Sequence, residues 1–307
     1  MATARIKADV RLPNFVVAGA AKCGTTSLFH YLKQHPDVFL PAQKQLHYFA
    51  YEHLSRNSGG PGGARSLDFA CATREAYEAH YRAAGSQVAI GEVSPSYFYF
   101  DEVSERIETE LCAPKIVIIL RDPIEKAYSQ YMHLVRDNRE TLPFFEALMA
   151  EQDRIADGWP ALWRYAESSV YARRITKYLD VFGQDRVKIL VFEELSENPA
   201  LVLDALFGFL GLAPQDAIDT ARVYNRSGQP RSRMLADFVT KRNPFTTAAR
   251  RWLPEDLRDR VKNAMLNLNT GRKQAIDDRS RAYLQAFFAD DVAALERILG
   301  RRFGWLS

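Results

Sequence analysis

A chain of 307 residues, 47% hydrophobic and 26% charged, can bury a substantial core and matches the usage of ordinary soluble globular proteins. Its 41 basic and 38 acidic residues leave a formal charge of +3, too even to argue for a nucleic-acid or membrane-surface partner. Three cysteines, Cys23, Cys71 and Cys112, lack close spacing, so neither a disulfide framework nor a paired-cysteine metal site is indicated, and a reducing, cytoplasmic location is expected. The mixed, charged tail of residues 1–11 and the short apolar run after it match neither a signal peptide nor a membrane anchor.

The first element dominates the reading. Phe15-Val16-Val17-Ala18 suits a buried parallel strand, Gly19 to Gly24 turns the chain, and Thr25-Thr26-Ser27 opens a helix through Leu28, Tyr31 and Leu32. A strand, a glycine loop and a helix N-terminus aim backbone N–H groups and the helix dipole at one spot, which favours an anion. Lys22 adds a full positive charge there. A nucleoside-triphosphate loop has lysine directly before the hydroxyl residue; here Gly19 and Gly24 keep the glycine spacing, but Thr25 holds the lysine position. The loop is therefore P-loop-like with a displaced cation.

The first helix is expected to end near Lys33-Gln34-His35-Pro36, because proline disfavours helical geometry in the residue before it. Val38 to Pro41 reads as a short extended segment, and if the following stretch is also extended, Gln45 and His47 face one side. His47 is then either a packed loop histidine or a base. Asn57 to Ala64, with four glycines and a proline, reads as the flexible part of a 57–66 surface loop, inert or serving as a lid. Thr73 to Ala84 has helical character. Val88 to Gly91 is apolar enough for a core strand and ends in Glu92-Val93-Ser94-Pro95-Ser96-Tyr97, where open α/β sheets place ligands. Glu92 is either a site carboxylate or a solvated loop acid.

Asp101 to Leu111 is expected to be helical, and Lys115 to Leu120 is the clearest buried strand. Asp122 follows as a helix N-cap with Pro123 in the first helical position, a structural task for an acid that could otherwise be taken for a Mg²⁺ carboxylate. Arg121 at the strand end, with Ser129 on the helix, offers a fork and a hydroxyl for a second anion, a structural salt bridge being the alternative. Ser168 to Phe182 reads as an amphipathic helix, Val187 to Phe192 as a strand, Pro199 to Leu210 as a helix stopped by Gly211, and Ser280 to Leu299 as a long closing helix. Between the last two, Asn225 to Arg233 is a loop by composition. Arg226 to Arg251 carries seven basic residues against one acid, so the loop is either a solvated face or an anion clamp through Gly228 and Arg231. Strands alternating with helices at this spacing predict a single α/β domain over 1–307, a three-layer, P-loop-like fold with a central, mostly parallel sheet flanked by helices.

These motifs together resemble the PAPS-dependent sulfotransferases, and among them the bacterial branch related to the heparan sulfate sulfotransferase domain. Lys22-Cys23-Gly24-Thr25-Thr26 is similar to the family's 5′-phosphosulfate loop, and Arg121-Asp122-Pro123 with Ala127-Tyr128-Ser129-Gln130-Tyr131 to its 3′-phosphate motif. Lys44-Gln45-Leu46-His47-Tyr48-Phe49 resembles its Lys-Glu-x-His-Phe-Phe element, and Gly91 to Tyr97 its Gly-Glu-Lys-x-Pro-x-Tyr element. The resemblance runs from about Leu12 to the C-terminus and implies PAPS (3′-phosphoadenosine 5′-phosphosulfate) as cofactor and PAP (3′-phosphoadenosine 5′-phosphate) as product. It further implies metal-independent, in-line sulfuryl transfer to a hydroxyl or amine of a carbohydrate, lipid or other small molecule. Lys22 would be catalytic, with His47 and Glu92 as further candidates; Lys22 to Thr26, Arg121 and Ser129 would bind the nucleotide. Two positions depart from the family. Gln45 stands where a catalytic glutamate is usual, and an amide accepts no proton at neutral pH; Val93 replaces a lysine. A kinase-like phosphoryl transferase and a non-catalytic PAP or PAPS binder are the alternatives. The acceptor and the oligomeric state are not legible.

Overall fold

The computed structural model describes residues 10–215, 217–220, 265 and 275–306. The chain divides into two compact units, each assembled from separated stretches: 1–55, 65–120 and 174–220 in the first, 56–64, 121–173 and 221–307 in the second.

The first unit contains a five-stranded sheet of β1 (Phe15–Gly19), β2 (Val38–Phe39), β3 (Ala89–Val93), β4 (Lys115–Leu120) and β5 (Val187–Val191). The order is β2-β3-β1-β4-β5 and every pair is parallel. In β1 and β3 all five residues are buried. Because successive side chains point to opposite faces, both faces are covered there, which explains continuous apolar runs rather than alternation. Connections from β1 and β4 leave toward opposite edges of the sheet, so the carboxyl ends of these neighbours form the topological switch point at which such sheets bind ligands.

Helices α1 (Thr25–Leu32), α2 (Tyr51–Arg56), α3 (Arg74–Ala79) and α4 (Asp101–Glu110) lie on the connections between β1 and β4. After β4 come α5 (Pro123–Arg136), α6 (Phe144–Met149), α7 (Glu151–Ala156) and α8 (Ala172–Phe182); after β5 come α9 (Phe192–Glu197), α10 (Pro199–Leu210) and the long α11 (Asp278–Leu299). The flanked parallel sheet matches the expectation. Two helices are shorter than their sequence patterns suggest: α3 stops at Ala79, and α8 starts at Ala172 because Ser168 and Ser169 belong to a separate 3-10 turn.

Gly91 shows how tightly the sheet is built. A Cβ at this position would overlap the ring of Phe15 on the neighbouring strand. Gly91→Ala is expected to destabilise the protein by roughly 1–3 kcal/mol, the usual range for overpacking a dense core. Thermal unfolding checks it: Phe15→Leu should restore part of the lost stability in the double variant, and additive losses would show that the ring is not the cause.

In the second unit, Asp122 caps α5 as expected, accepting from Ile124 N at 2.8 Å and Glu125 N at 3.2 Å, with Pro123 in the first turn. The start of α8 is capped from far along the chain. Asp291, on α11, accepts Tyr171 N at 2.8 Å and Ala172 N at 2.9 Å. The glycine-rich stretch carries backbone hydrogen bonds to residues far along the chain. Gly59 N donates to Gly158 O at 3.1 Å, and Arg139 donates to Pro61 O at 2.9 Å and Gly62 O at 2.7 Å. Gly60 has a φ of 70° and lies so near Trp159 that a Cβ would come within 2.6 Å of the indole. The glycine at position 60 admits a tryptophan ring against the backbone.

Candidate active site

The loop after β1 is shaped to present donors. Lys22 (φ 69°) and Gly24 (φ 87°) are both left-handed, with Cys23 between them, and such alternation turns consecutive N–H groups toward one concavity. Gly24 is also the N-cap of α1 and supplies no side-chain cap, so the first-turn N–H groups keep their dipole directed outward. A side chain at position 24 would be strained by that φ and would press on Phe192, whose ring lies 2.8 Å from a built Cβ. Thr25 and Thr26 place two hydroxyls on the first turn. The five loop residues expected to act together are therefore contiguous around one helix end.

Lys44 is the residue that the sequence reading left without a role. Its Nζ donates to Thr26 Oγ1 at 2.9 Å and Thr25 Oγ1 at 3.3 Å, bringing a second ammonium group to the loop of Lys22. Burial of the amine, with the charge of Lys22 adding to it, pushes the Lys44 pKa down to about 7. Two lysines converging on one uncapped helix N-terminus form a donor set for a polyanion.

The segment that carries Lys44 is not extended. Gln45 (φ 66°) and His47 (φ 55°) are both left-handed, which breaks the alternation that would have put them on one side; Gln45 is exposed and His47 is buried. Gln45 N donates to Val93 O at 3.1 Å, fixing the turn to the end of β3. His47 N donates to Ser94 Oγ at 3.3 Å, and His47 Nδ1 shares a 2.8 Å hydrogen bond with Ser96 Oγ. Burial, helped by the Lys44 charge, lowers the His47 pKa to about 4, so the imidazole is neutral at pH 7 but a weaker base than an exposed histidine.

Glu92 is enclosed rather than solvated. Its carboxylate accepts from Tyr77 OH at 2.6 Å, Ser94 Oγ at 2.7 Å and Tyr97 OH. Burial raises its pKa, partly offset by the three hydroxyls. This geometry orients Ser94, which in turn receives His47 N, so Glu92 acts on the loop through other residues.

The structure thus brings Lys22 to Thr26, Lys44, His47 and Glu92 into one connected cluster in the first unit. Arg121 and Ser129 belong to the second unit. Arg121 lies 3.7 Å from Glu125, an ion pair of the kind given as its structural alternative, and its carbonyl accepts from Tyr171 OH at 2.9 Å. Glu125 and Ser129, four residues apart, share a face of α5, and Ser129 is buried. Gly228 and Arg231, with the whole basic loop, lie outside the described residues. No helix among the described residues is long and apolar enough to cross a membrane.

Comparison with known proteins identifies the family. A family profile described as the sulfotransferase family matches residues 13–216. A solved sulfotransferase from Alicyclobacillus acidocaldarius is 32% identical with a TM-score of 0.78, covering 97% of this chain and 100% of that one. A mouse sulfotransferase solved in complex with PAP shares the fold, with a TM-score of 0.52 at 13% identity over 95% of this chain and 90% of that one. Human bifunctional heparan sulfate N-deacetylase/N-sulfotransferase 3 is 26% identical over 294 residues; the match covers 94% of this chain but only 30% of that protein. The profile match over two-thirds of the sequence and the bacterial relative aligned along nearly all of it establish that this chain belongs to the sulfotransferase family.

Proposed function

We propose that this chain transfers a sulfuryl group from PAPS to a hydroxyl or amine of a carbohydrate, lipid or other small-molecule acceptor, carbohydrate being the class that its heparan sulfate relative supports. The convergence of Lys22 and Lys44 on the uncapped start of α1 carries the reading. PAPS, when bound, supplies the sulfuryl group. The leaving phosphate gains negative charge as the S–O bond breaks, and positioned lysines and loop N–H groups stabilise that charge more in the transition state than in the ground state. The donor set fits: the loop offers cations, hydroxyls and N–H groups, while Asp122, the acid after β4, is engaged in capping α5. Arg121 and Ser129 are assigned the 3′-phosphate, the feature that separates PAP from ADP. The family match spans stretches of both units, which supports one sulfotransferase domain over the whole chain. Family membership sets the phosphoryl-transfer alternative aside.

A thermal-shift panel tests the nucleotide assignment, since a ligand that binds only the folded state raises its melting temperature. PAP is expected to stabilise the protein more than ADP, and Arg121→Ala to abolish that preference. Equal stabilisation by PAP and ADP in the wild type would remove the 3′-phosphate role. Transfer is expected to proceed in excess EDTA; activity lost to EDTA and restored by Mg²⁺ would overturn the metal-independent mechanism.

The acceptor's proton is assigned to His47, which is neutral at pH 7, with Glu92 as a positioning residue behind it. His47→Ala is expected to lower kcat at least about tenfold with little change in PAP affinity. Gln45→Glu is expected to preserve or raise activity, because it restores a carboxylate on an exposed position beside the loop. A second reading, a PAPS binder without adequate proton transfer, is favoured by the low basicity of His47 and the enclosure of Glu92. Single-turnover assays over sugar, lipid and phenol acceptors separate the two: that reading requires transfer by Gln45→Glu and none by the wild type.

A further inference from the structure

We propose that Lys44 is a second ligand for the 5′ end of the nucleotide and that it takes up a proton as the nucleotide binds, so that binding and protonation are one event. The proposal rests on the nucleotide reading above and adds to it a proton taken up at Lys44.

Lys44 reaches from the turn after β2 to the first two residues of α1 and occupies the hydroxyls of Thr25 and Thr26. These hydroxyls stand at the same helix end as the loop N–H groups, so an anion seated there meets Lys44 together with Lys22. The groups facing the amine are Lys22 from the β1–α1 loop, Thr25 and Thr26 from α1, and His47 from its own segment. His47 is neutral above about pH 5, with its pKa near 4, so it does not titrate in the window that matters.

Without nucleotide, burial and Lys22 hold Lys44 near pKa 7, so a large share of its amine is uncharged at neutral pH. A phosphate dianion at the loop offsets both causes: it neutralises the repulsion from Lys22 and compensates the buried charge. The Lys44 pKa then rises toward its ordinary value, and the amine takes one proton from the buffer to become an ammonium group. The sign follows by linkage. The liganded form binds more protons above pH 7, so nucleotide affinity falls as pH rises from 7 toward the liganded pKa.

Isothermal titration of PAP, in buffers of different protonation enthalpy, measures this without any sulfuryl transfer. At pH 8 the phosphates of PAP are fully ionised, and the wild type is expected to take up about 0.9 proton per PAP bound, with affinity about fivefold weaker than at pH 7. Lys44→Arg keeps a permanent charge and is expected to bind PAP with no uptake and no fall between pH 7 and 8. Lys44→Met, its fold checked by melting temperature, should also show no uptake and bind more weakly. Wild-type binding of PAP without proton uptake at pH 8 would overturn the proposal while leaving the nucleotide reading intact, and so would uptake that persists in both variants. No PAP binding by the wild type at either pH would instead refute the nucleotide reading itself.

Discussion

Lys22→Ala is expected to lower turnover about a hundredfold, because removing one charge contact made to the developing phosphate commonly costs roughly 3 kcal/mol of transition-state stabilisation. PAP affinity should fall as well, since the product carries its phosphate to the same loop. The loss should appear in single-turnover kinetics, where product release does not contribute. The backbone adds a second expectation. Lys22 is a non-glycine residue at φ 69°, a conformation that costs of order 1–3 kcal/mol and persists where the surrounding structure enforces it. Lys22→Gly relieves that cost while removing the ammonium group. It is therefore expected to be as inactive as Lys22→Ala yet to melt higher than Lys22→Ala. Wild-type turnover in both variants would remove Lys22 from the chemistry, and equal melting temperatures would show that the backbone there is not strained.

The largest stability effect is expected at Arg154. Its guanidinium donates to Glu140 at 2.6 and 3.1 Å, and the same carboxylate accepts Tyr165 OH at 2.6 Å, Thr141 N at 2.9 Å and Leu142 N at 3.1 Å. Both ionic side chains are buried, the Glu140 side chain being 2% exposed. Arg154→Met deletes one partner and strands a buried carboxylate, which typically destabilises by about 3–5 kcal/mol. Denaturant unfolding at pH 7 measures it. Burial pushes the Glu140 pKa up, but Arg154, Tyr165 and Leu142 N more than reverse this and leave it lowered. A carboxylate with a lowered folded pKa contributes stability that is present above the unfolded value and lost as pH falls through the folded value. Wild type should therefore lose stability on acidification below the usual glutamate range, whereas Arg154→Met should lose less over that window. Parallel acid profiles for the two proteins would deny the network this role.

Local chemistry made some features readable in advance. The strand-loop-helix at Phe15 to Leu32, the Asp122-Pro123 cap and the Pro199 to Gly211 helix each depend on residues within a few positions of one another, and each stands in the structure as read. Lys44 was not readable as a site residue. Its meeting with Thr25 and Thr26, 19 and 18 positions away, depends on the turn that follows β2, and the left-handed residues at Gln45 and His47 erase the alternation from which side-chain direction is inferred. The roles of Gly59 and Gly60 were hidden for a similar reason. Composition alone gives glycines freedom, and only the approach of Trp159, far along the chain, shows that they make room. Glu92 lies inside β3, one residue beyond the strand that the sequence suggests; Ser94 and Tyr97 of the same motif accompany it, and only Tyr77, on α3, reaches it from another part of the chain.

The cap that Asp291 places on the start of α8 has a consequence for biosynthesis. Tyr171 and Ala172 precede their acceptor by 120 and 119 residues. At ribosomal elongation rates of about 5–20 residues per second, the α8 amides wait roughly 6–24 s before Asp291 has even been polymerised. Until then those two N–H groups lack the carboxylate that caps them in the folded protein. The native start of this helix is therefore settled only after residue 291 has been added, well after α8 itself has been made.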